Sequence, residues 1–481
     1  MRAGQSAALP VTQTAQAKPS AAATTGWRGI LAALAFAAAL VASALPAAPA
    51  PPEAEADLAA LAGGALTAGQ IEMARILAIA ALERSPEEPR ALSVLAAIGL
   101  MTDEPEAARE VAGRAFRAAA DPTTRFAAAR LASRAAFESG HPEIAKYWTR
   151  RAYGAAPGKG ARRLAIRDFQ RLRAASRLRY DLGLSIRPSD NVNQGAEDAM
   201  LRVDGRPTWF YFDGATRALP GVEAQISLGA RYRLAGSAAD PTEAGLRLFY
   251  RGVTLSDRAR AQAPAARTGD FATAAADVFL ARTFTLSEAQ SLRGALTLGR
   301  IWQGGSHYGD RMQADLALTT AHGADRISRI GFALERQWQA GASPPATAVS
   351  LDAGIEQRLA SGDSLAFSVD LSRTFSDDAN QRNTRMAASL RYARARPVAG
   401  MGLQAALGVT ARDYPVYFNG AFNDTGRQDL TFSASVDLSL PGLGLMGFEP
   451  VLSLEARRTR SNISRYTGQS LGLGLRIQSS F

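Results

Sequence analysis

The chain has 481 residues, too many for one compact domain, and carries 55 Lys and Arg against 44 Asp and Glu for a net charge of +11. Hydrophobic residues make up 47% of it, yet its mean hydropathy of −0.09 excludes a bundle of transmembrane helices. Cysteine is absent, which excludes disulfides, thiolate metal sites and a lipid-anchored cysteine. The arginines are scattered through alternating apolar segments rather than gathered on one patch, so nucleic acid is not an expected partner. Three histidines, His141, His307 and His322, offer little for His-based catalysis or a His-rich metal site.

Residues 1–26 are polar and of low complexity. Arg28 then precedes an uncharged run from Gly29 to Leu45, and small residues cluster at Val41-Ala42-Ser43-Ala44 and from Pro46 to Ala50. A positive flank, an apolar core of about fifteen residues and an Ala-x-Ala-like exit mark residues 1–50 as an export signal. Cleavage is expected near Ala44 to Ala50; an uncleaved inner-membrane anchor is the alternative. The Pro/Ala/Glu stretch 51–55 reads as a linker.

From 56 to 176 the sequence turns Ala-rich with helical period. Ala74, Ala81 and Pro86 form a triplet; Ala108 and Ala115 repeat its pair, and Ala145, Ala152 and Pro157 repeat the whole. The units recur at about 34–37 residues, a spacing typical of stacked helix pairs. Small residues at those points let helices cross closely, and the proline stops the second helix. These spacings resemble the tetratricopeptide repeat, a curved solenoid with a concave binding face; a plain Ala-rich bundle is the alternative. The early part is acidic (Glu83, Glu87, Glu88, Asp103, Glu104, Glu106, Glu110). The last helix is basic (Arg162, Arg163, Arg167, Arg171, Arg173, Arg177, Arg179, against Asp168). That helix is either a solvated face or a contact for lipid phosphates or an acidic client.

Past Arg177 the period switches from 3.6 to 2. In 222–234, Val222, Ala224, Ile226, Leu228, Ala230, Tyr232 and Leu234 alternate with Glu223, Gln225, Ser227, Gly229, Arg231 and Arg233. Segments 364–375 and 430–440 alternate likewise. Such strands run to about 10–14 residues, beyond the soluble average of about 5–6 and enough to cross a bilayer when tilted. Candidate strands are 178–187, 221–234, 244–255, 271–284, 291–303, 310–320 and 325–338. They continue at 346–358, 364–375, 382–394, 401–412, 427–440, 449–460 and 469–481. Alternation is weakest at 271–284, 310–320 and 449–460. Fourteen is even, as a single-chain bacterial barrel requires, and in lipid the sheet must close. The expected fold is therefore α + β and multi-domain: a tetratricopeptide-like periplasmic domain at 56–176, then a 14-stranded antiparallel transmembrane β-barrel at 178–481. With the helices in the periplasm, the three longest connections, roughly 33, 15 and 14 residues, all fall outside the cell, as barrel loops do. The last segment points Leu471, Leu473, Leu475, Ile477 and Phe481 one way. That resembles the terminal strand read by the barrel-assembly machinery, a strand-addition event.

Three stretches stand out once the barrel is in place: Pro188-Ser189-Asp190-Asn191-Val192-Asn193-Gln194, Trp302-Gln303-Gly304-Gly305-Ser306-His307-Tyr308 and Ser461-Asn462-Ile463-Ser464-Arg465-Tyr466. With the order of signal, repeat domain and barrel, the chain resembles the surface lipoprotein assembly modifier (Slam) family, and the resemblance spans nearly the whole mature chain. It implies an outer-membrane factor that delivers client proteins, either surface lipoproteins or secreted haem- or metal-scavenging proteins, to the cell surface. The implied partners are the client, a periplasmic chaperone, the barrel-assembly machinery and outer-membrane lipids. Asp190, Asn191, Asn193, Trp302, Gly304, Gly305, Tyr308, Ser461 and Asn462 are the family-motif residues. Asn191 and Asn193 suit the shaping of a long loop, or its pinning in or over the lumen as a gate. Trp302, Tyr308 and Trp209 suit an interfacial aromatic belt, and Gly304-Gly305 a turn. Inward Arg231, Arg233, Arg293 and Arg391 are expected to pair with inward Glu223, Asp352, Glu356, Asp370 and Asp437.

Two rivals share the architecture in whole or part: an exopolysaccharide exporter and a passive porin-like channel. An enzyme is not expected, because neither His307 nor His322 has an evident serine partner. No cofactor is expected, and the nucleotide loop GxxxxGK[ST] is missing.

Overall fold

The computed structural model describes residues 53–481 apart from 342, 419–421, 424, 445–446 and 480–481. The expected signal at 1–50 and the terminal Phe481 lie outside the described residues.

Helices come first: α1 (Glu53–Thr67), α2 (Ile71–Arg84), α3 (Pro89–Met101), α4 (Pro105–Ala118), α5 (Pro122–Glu138), α6 (Pro142–Ala155) and α7 (Lys159–Ala175). α1 begins inside the stretch read as linker. Four of these helices, α3 to α6, carry proline at their first turn, where its missing N–H would be unsatisfied anyway. Glu88 and Asp121 cap α3 and α5 by accepting from Ala91 N and Thr124 N. The small residues chosen by spacing are buried: Ala74, Ala81, Ala108, Ala115, Ala145 and Ala152 all lie in the helical core. Alanines allow the close approach, while Leu92, Phe116 and Trp148 fill the remaining space.

Fourteen strands then close into one antiparallel ring. The first seven are β1 (Leu178–Ser189), β2 (Gly221–Ala235), β3 (Thr242–Leu255), β4 (Thr273–Thr285), β5 (Gln290–Gln303), β6 (Ser306–Ala321) and β7 (Arg326–Gln339). The other seven are β8 (Ala346–Arg358), β9 (Ser364–Ser376), β10 (Asn383–Ala393), β11 (Gly402–Tyr414), β12 (Arg427–Ser439), β13 (Phe448–Ser461) and β14 (Gly468–Ser479). All fourteen predicted segments are present. The largest boundary difference is β6, which begins at Ser306 rather than 310. Gly304 and Gly305 adopt φ 58° and 80°, so a two-residue turn closes the β5–β6 hairpin and pairs Gln303 with Ser306.

β1 closes the ring against β14, with Leu184, Ser185 and Ile186 opposite Ile477, Arg476 and Leu475. The outward face is apolar: Ile226, Leu248, Leu298, Phe332, Leu371, Phe432 and Leu473 are all exposed. In water such a surface would aggregate; in lipid it is the solvated side. Because register fixes facing, Arg231, Arg233, Arg293, Arg391, Glu223, Asp352, Glu356, Asp370 and Asp437 all lie on the inner wall, as expected. The three longest connections, 190–220, 256–272 and 415–426, all leave the rim away from the helices, called here the far rim.

Candidate functional site

Two sites on the barrel gather polar contacts: the loops of the far rim and the joint between the helices and the near rim.

At the far rim, the connection 190–220 is folded on itself. Asn193 Nδ2 donates to the carbonyls of Ala215 and Arg217, both at 2.7 Å, and its Oδ1 accepts from Leu219 N at 2.8 Å. One side chain thereby clamps the start of the loop to its end. Asn191 brackets Gly195, donating to its carbonyl at 2.8 Å and accepting from its N–H at 2.7 Å. Gly195 is required there, since a Cβ would stand 2.2 Å from the Arg217 carbonyl oxygen. Val192 and Leu219 are buried with Val253, Leu255 and Ala259 of the next loop's base. Both asparagines thus shape the loop. Asp190 borders a crevice of about 300 Å³ inside the barrel, with Arg187, Ser433, Glu455 and Arg457 on its walls.

The same loop carries a hairpin, Met200–Val203 with Arg206–Tyr211, turned by Asp204-Gly205 at φ 50° and 76°. The sequence reading missed it, although Asp-Gly between apolar residues is a strong hairpin signal. Trp209, assigned by sequence to the membrane belt, sits on this hairpin at 89% exposure and is not on the barrel wall. The hairpin is tied to the neighbouring loops. Asn462 Nδ2 donates to Asp204 Oδ1 at 3.0 Å and to the Gly426 carbonyl at 3.1 Å, and Thr425 Oγ1 donates to Asp204 Oδ2 at 2.8 Å. These donors hold the Asp204 carboxyl below its ordinary value, Thr425 contributing most. Ser464 accepts from Arg202 N, and Arg465 donates to the Gln194 carbonyl at 2.7 Å. Ser461 Oγ accepts from Ile463 N at 3.2 Å. Beside them Arg427 stacks on Tyr414, Tyr417 and Tyr466. Tyr417 and Tyr466 share a hydroxyl–hydroxyl bond, and burial pushes Tyr417 up to about 12.

The second family stretch is not part of this cluster. Gly304-Gly305 is a turn whose Gly304 N–H donates to the Ala272 carbonyl at 2.9 Å, Trp302 lies on the wall beside it, and the Tyr308 hydroxyl accepts from Gln339 Nε2 at 3.1 Å. His307 faces Asp310 at 3.3 Å. His322 Nε2 lies 2.8 Å from Ser328 Oγ, a serine partner that the sequence reading did not find; across this tight turn His322 is exposed and Ser328 half-buried.

The inner wall pairs its charges between nearby strands rather than across the lumen. Glu223 accepts from Arg187 at 2.9 Å and from Arg251 at 2.6 Å, and Arg187 reaches Glu455. Arg311 joins Asp277 and Glu335, Arg385 joins Asp370, and Arg476 joins Asp437. Of the carboxylates expected to pair, Glu223, Asp370, Asp437 and Asp352 (with Arg329 at 3.6 Å) do so, while Glu356 has no ion pair among the described residues. The expected arginines Arg231 and Arg293 instead meet Asp181 and Asp315, which the sequence did not single out. A guanidinium reaches the adjacent strand, about 5 Å away, far more readily than the opposite wall.

At the near rim, α6 docks on the barrel. Lys146, 2% exposed, donates to the Leu178 carbonyl at 2.9 Å and pairs with Glu143 at 2.7 Å. Burial lowers its pKa. Ser176 donates to Glu143 at 2.7 Å. Arg150 packs over Phe169 of α7 and Phe448 of β13, and Tyr153 donates to Glu449 at 3.2 Å. The basic residues of α7 are expected on a solvated face or against lipid phosphates or an acidic client. There Arg162, Arg163, Arg167 and Arg171 are exposed, while Asp168 is taken by Arg130 at 2.9 Å. At the end of the ring Leu471, Leu473, Leu475 and Ile477 face outward together, Leu471 at 70% exposure.

The sequence matches no known family model and no curated protein. Among solved structures, the outer membrane channel DcaP of Acinetobacter baumannii is similar, with a TM-score of 0.38, 10% identity, and 63% of this chain aligned to 97% of that one. An outer membrane channel from Pseudomonas putida F1 aligns at TM-score 0.31 and 12% identity over 62% of this chain and 94% of its own. A bacterial polysaccharide outer membrane secretin aligns at TM-score 0.32 and 8% identity over 63% and 98%. Values this low assign no role. The closed, outwardly apolar wall identifies an outer-membrane β-barrel with a helical region ahead of it.

Proposed function

We propose that this chain is an outer-membrane translocation factor that delivers client proteins to the cell surface. In this reading the helices and near rim face the periplasm, where the helical domain receives a client or its chaperone. The far rim faces outward, and the loop 190–220 acts as the gate, held by Asn193 from within and by Asn462 from its neighbours. The resemblance to the Slam family points to surface lipoproteins or secreted haem- or metal-scavenging proteins as clients.

The observation that carries the reading is the joint between α6 and the barrel. Buried Lys146 grips the first carbonyl of β1, and Tyr153 grips the base of β13, so the receiving domain and the pore wall form one part. A passive channel has no use for such a domain. The test is deletion of the gene followed by surface labelling. Loss of a surface lipoprotein or scavenging protein, with surface polysaccharide intact, is the expected outcome. Loss of polysaccharide instead transfers the role to exopolysaccharide export. Loss of neither leaves a passive channel.

A further inference from the structure

Cations on the outward face are confined to strand ends. At the far rim Arg300 is neutralised by Asp310 at 2.7 Å. Arg336 and Arg373 are different. Both are exposed, and among the described residues neither has a carboxylate partner. Arg336 lies over Trp338 at 5.8 Å and donates to Thr347 Oγ1 at 3.3 Å; Arg373 lies over Phe375 at 5.2 Å.

Register gathers these residues into one patch. Arg336 stands opposite Thr347, Thr347 opposite Phe375, and Val349 opposite Arg373, so the two guanidinium groups flank β8 from either side. Two inter-strand spacings and a two-residue offset along the strand separate their backbones by about 12 Å, a span that two arginine side chains can bridge to a common anion. A guanidinium stacked on a ring keeps its edge N–H groups free and pre-aimed, the arrangement suited to bidentate phosphate binding. Towards the strand middles the patch continues into Leu334 and Leu351, both exposed. An occupant must therefore match charge at the rim and hydrocarbon below it.

We propose that this patch binds the phosphate-bearing headgroup of an anionic glycolipid, whose acyl chains lie along Leu334 and Leu351. The choice of a glycolipid rests on the reading of the far rim as external; phosphate recognition does not. The site would hold the barrel at a set depth and orientation in the leaflet.

The full chain, refolded into phosphatidylcholine bilayers containing diphosphoryl lipid A, is extracted and its retained lipid counted by native mass spectrometry. Retention by the unaltered chain is expected to fall about tenfold in R336Q/R373Q, which loses two charge-assisted forks. R336K/R373K should fall between, because lysine keeps charge without the fork. R282Q/R326Q, at the opposite rim, should match the unaltered chain. Far-UV circular dichroism and heat-modified gel migration verify that each variant is folded. Unchanged retention in R336Q/R373Q, equal retention of dephosphorylated lipid A, or displacement by inorganic phosphate each overturns the proposal. None of these readouts involves client delivery, so either reading can fail alone.

Discussion

Asn193 is the residue on which the far-rim loop turns. Its amide donates twice and accepts once across a gap of more than twenty residues, and no apolar replacement satisfies those groups. Asn193→Ala strands two carbonyls and one N–H, for an expected local cost of about 1–3 kcal/mol. The loop should open without unfolding the barrel, since its strands pair independently. Limited trypsin digestion checks this: cleavage after the exposed Arg202 should accelerate while the barrel fragment stays intact. Unchanged cleavage would assign the closure to Val192 and Leu219 instead. The sequence marked Asn193 as a turn former, because asparagine bonds backbone locally. Which carbonyls it would meet depended on residues far along the chain, beyond any spacing rule.

The helix α6 carries two patterns at once. Its alanines at 145 and 152 follow the repeat and were legible as such. Its Lys146, Arg150 and Tyr153 fall on the face turned to the barrel, and their role was not legible. A lysine in an Ala-rich amphipathic helix reads as solvent-facing, and only the arrival of β1 buries it. Lys146→Ala removes a buried donor that holds the Leu178 carbonyl and faces Glu143, for an expected loss of about 2–3 kcal/mol at the joint. The helical domain should then separate from the rim. Proteolysis at Arg177 and Arg179 should release it, and its melting should uncouple from that of the barrel. Co-operative melting and intact protein would show that the remaining contacts suffice. The α7 arginines behave in the opposite way: the sequence drew attention to them, and most stay in solvent.

For the molecule as a whole, the decisive contrast is between the two faces of one wall. Leu298 points outward near the middle of β5, and Ser433 points inward from β12. Leu298→Arg should destabilise the refolded barrel by about 2–4 kcal/mol, because a charge at bilayer depth loses hydration. Ser433→Arg should cost little, since the lumen already solvates arginines. Urea titration in lipid vesicles measures both, and equal costs would deny that the outer face meets hydrocarbon. All fourteen barrel strands were visible beforehand because a wall between lipid and water imposes alternation, strong on most strands and weaker at 271–284, 310–320 and 449–460, and alternation is a local property of the chain. The same holds for the buried alanines of the helices, whose spacing is set by helical pitch. Chain pattern alone therefore determined the number of barrel strands, the facing of the wall residues and the helix-then-barrel order, but not the hairpin at 200–211. Only the tertiary structure decided the Asp204–Asn462 tie, the charge partners along the inner wall and the grip of α6 on β1. These join residues up to hundreds of positions apart, and their geometry exists only once the ring has closed and brought its first and last strands together.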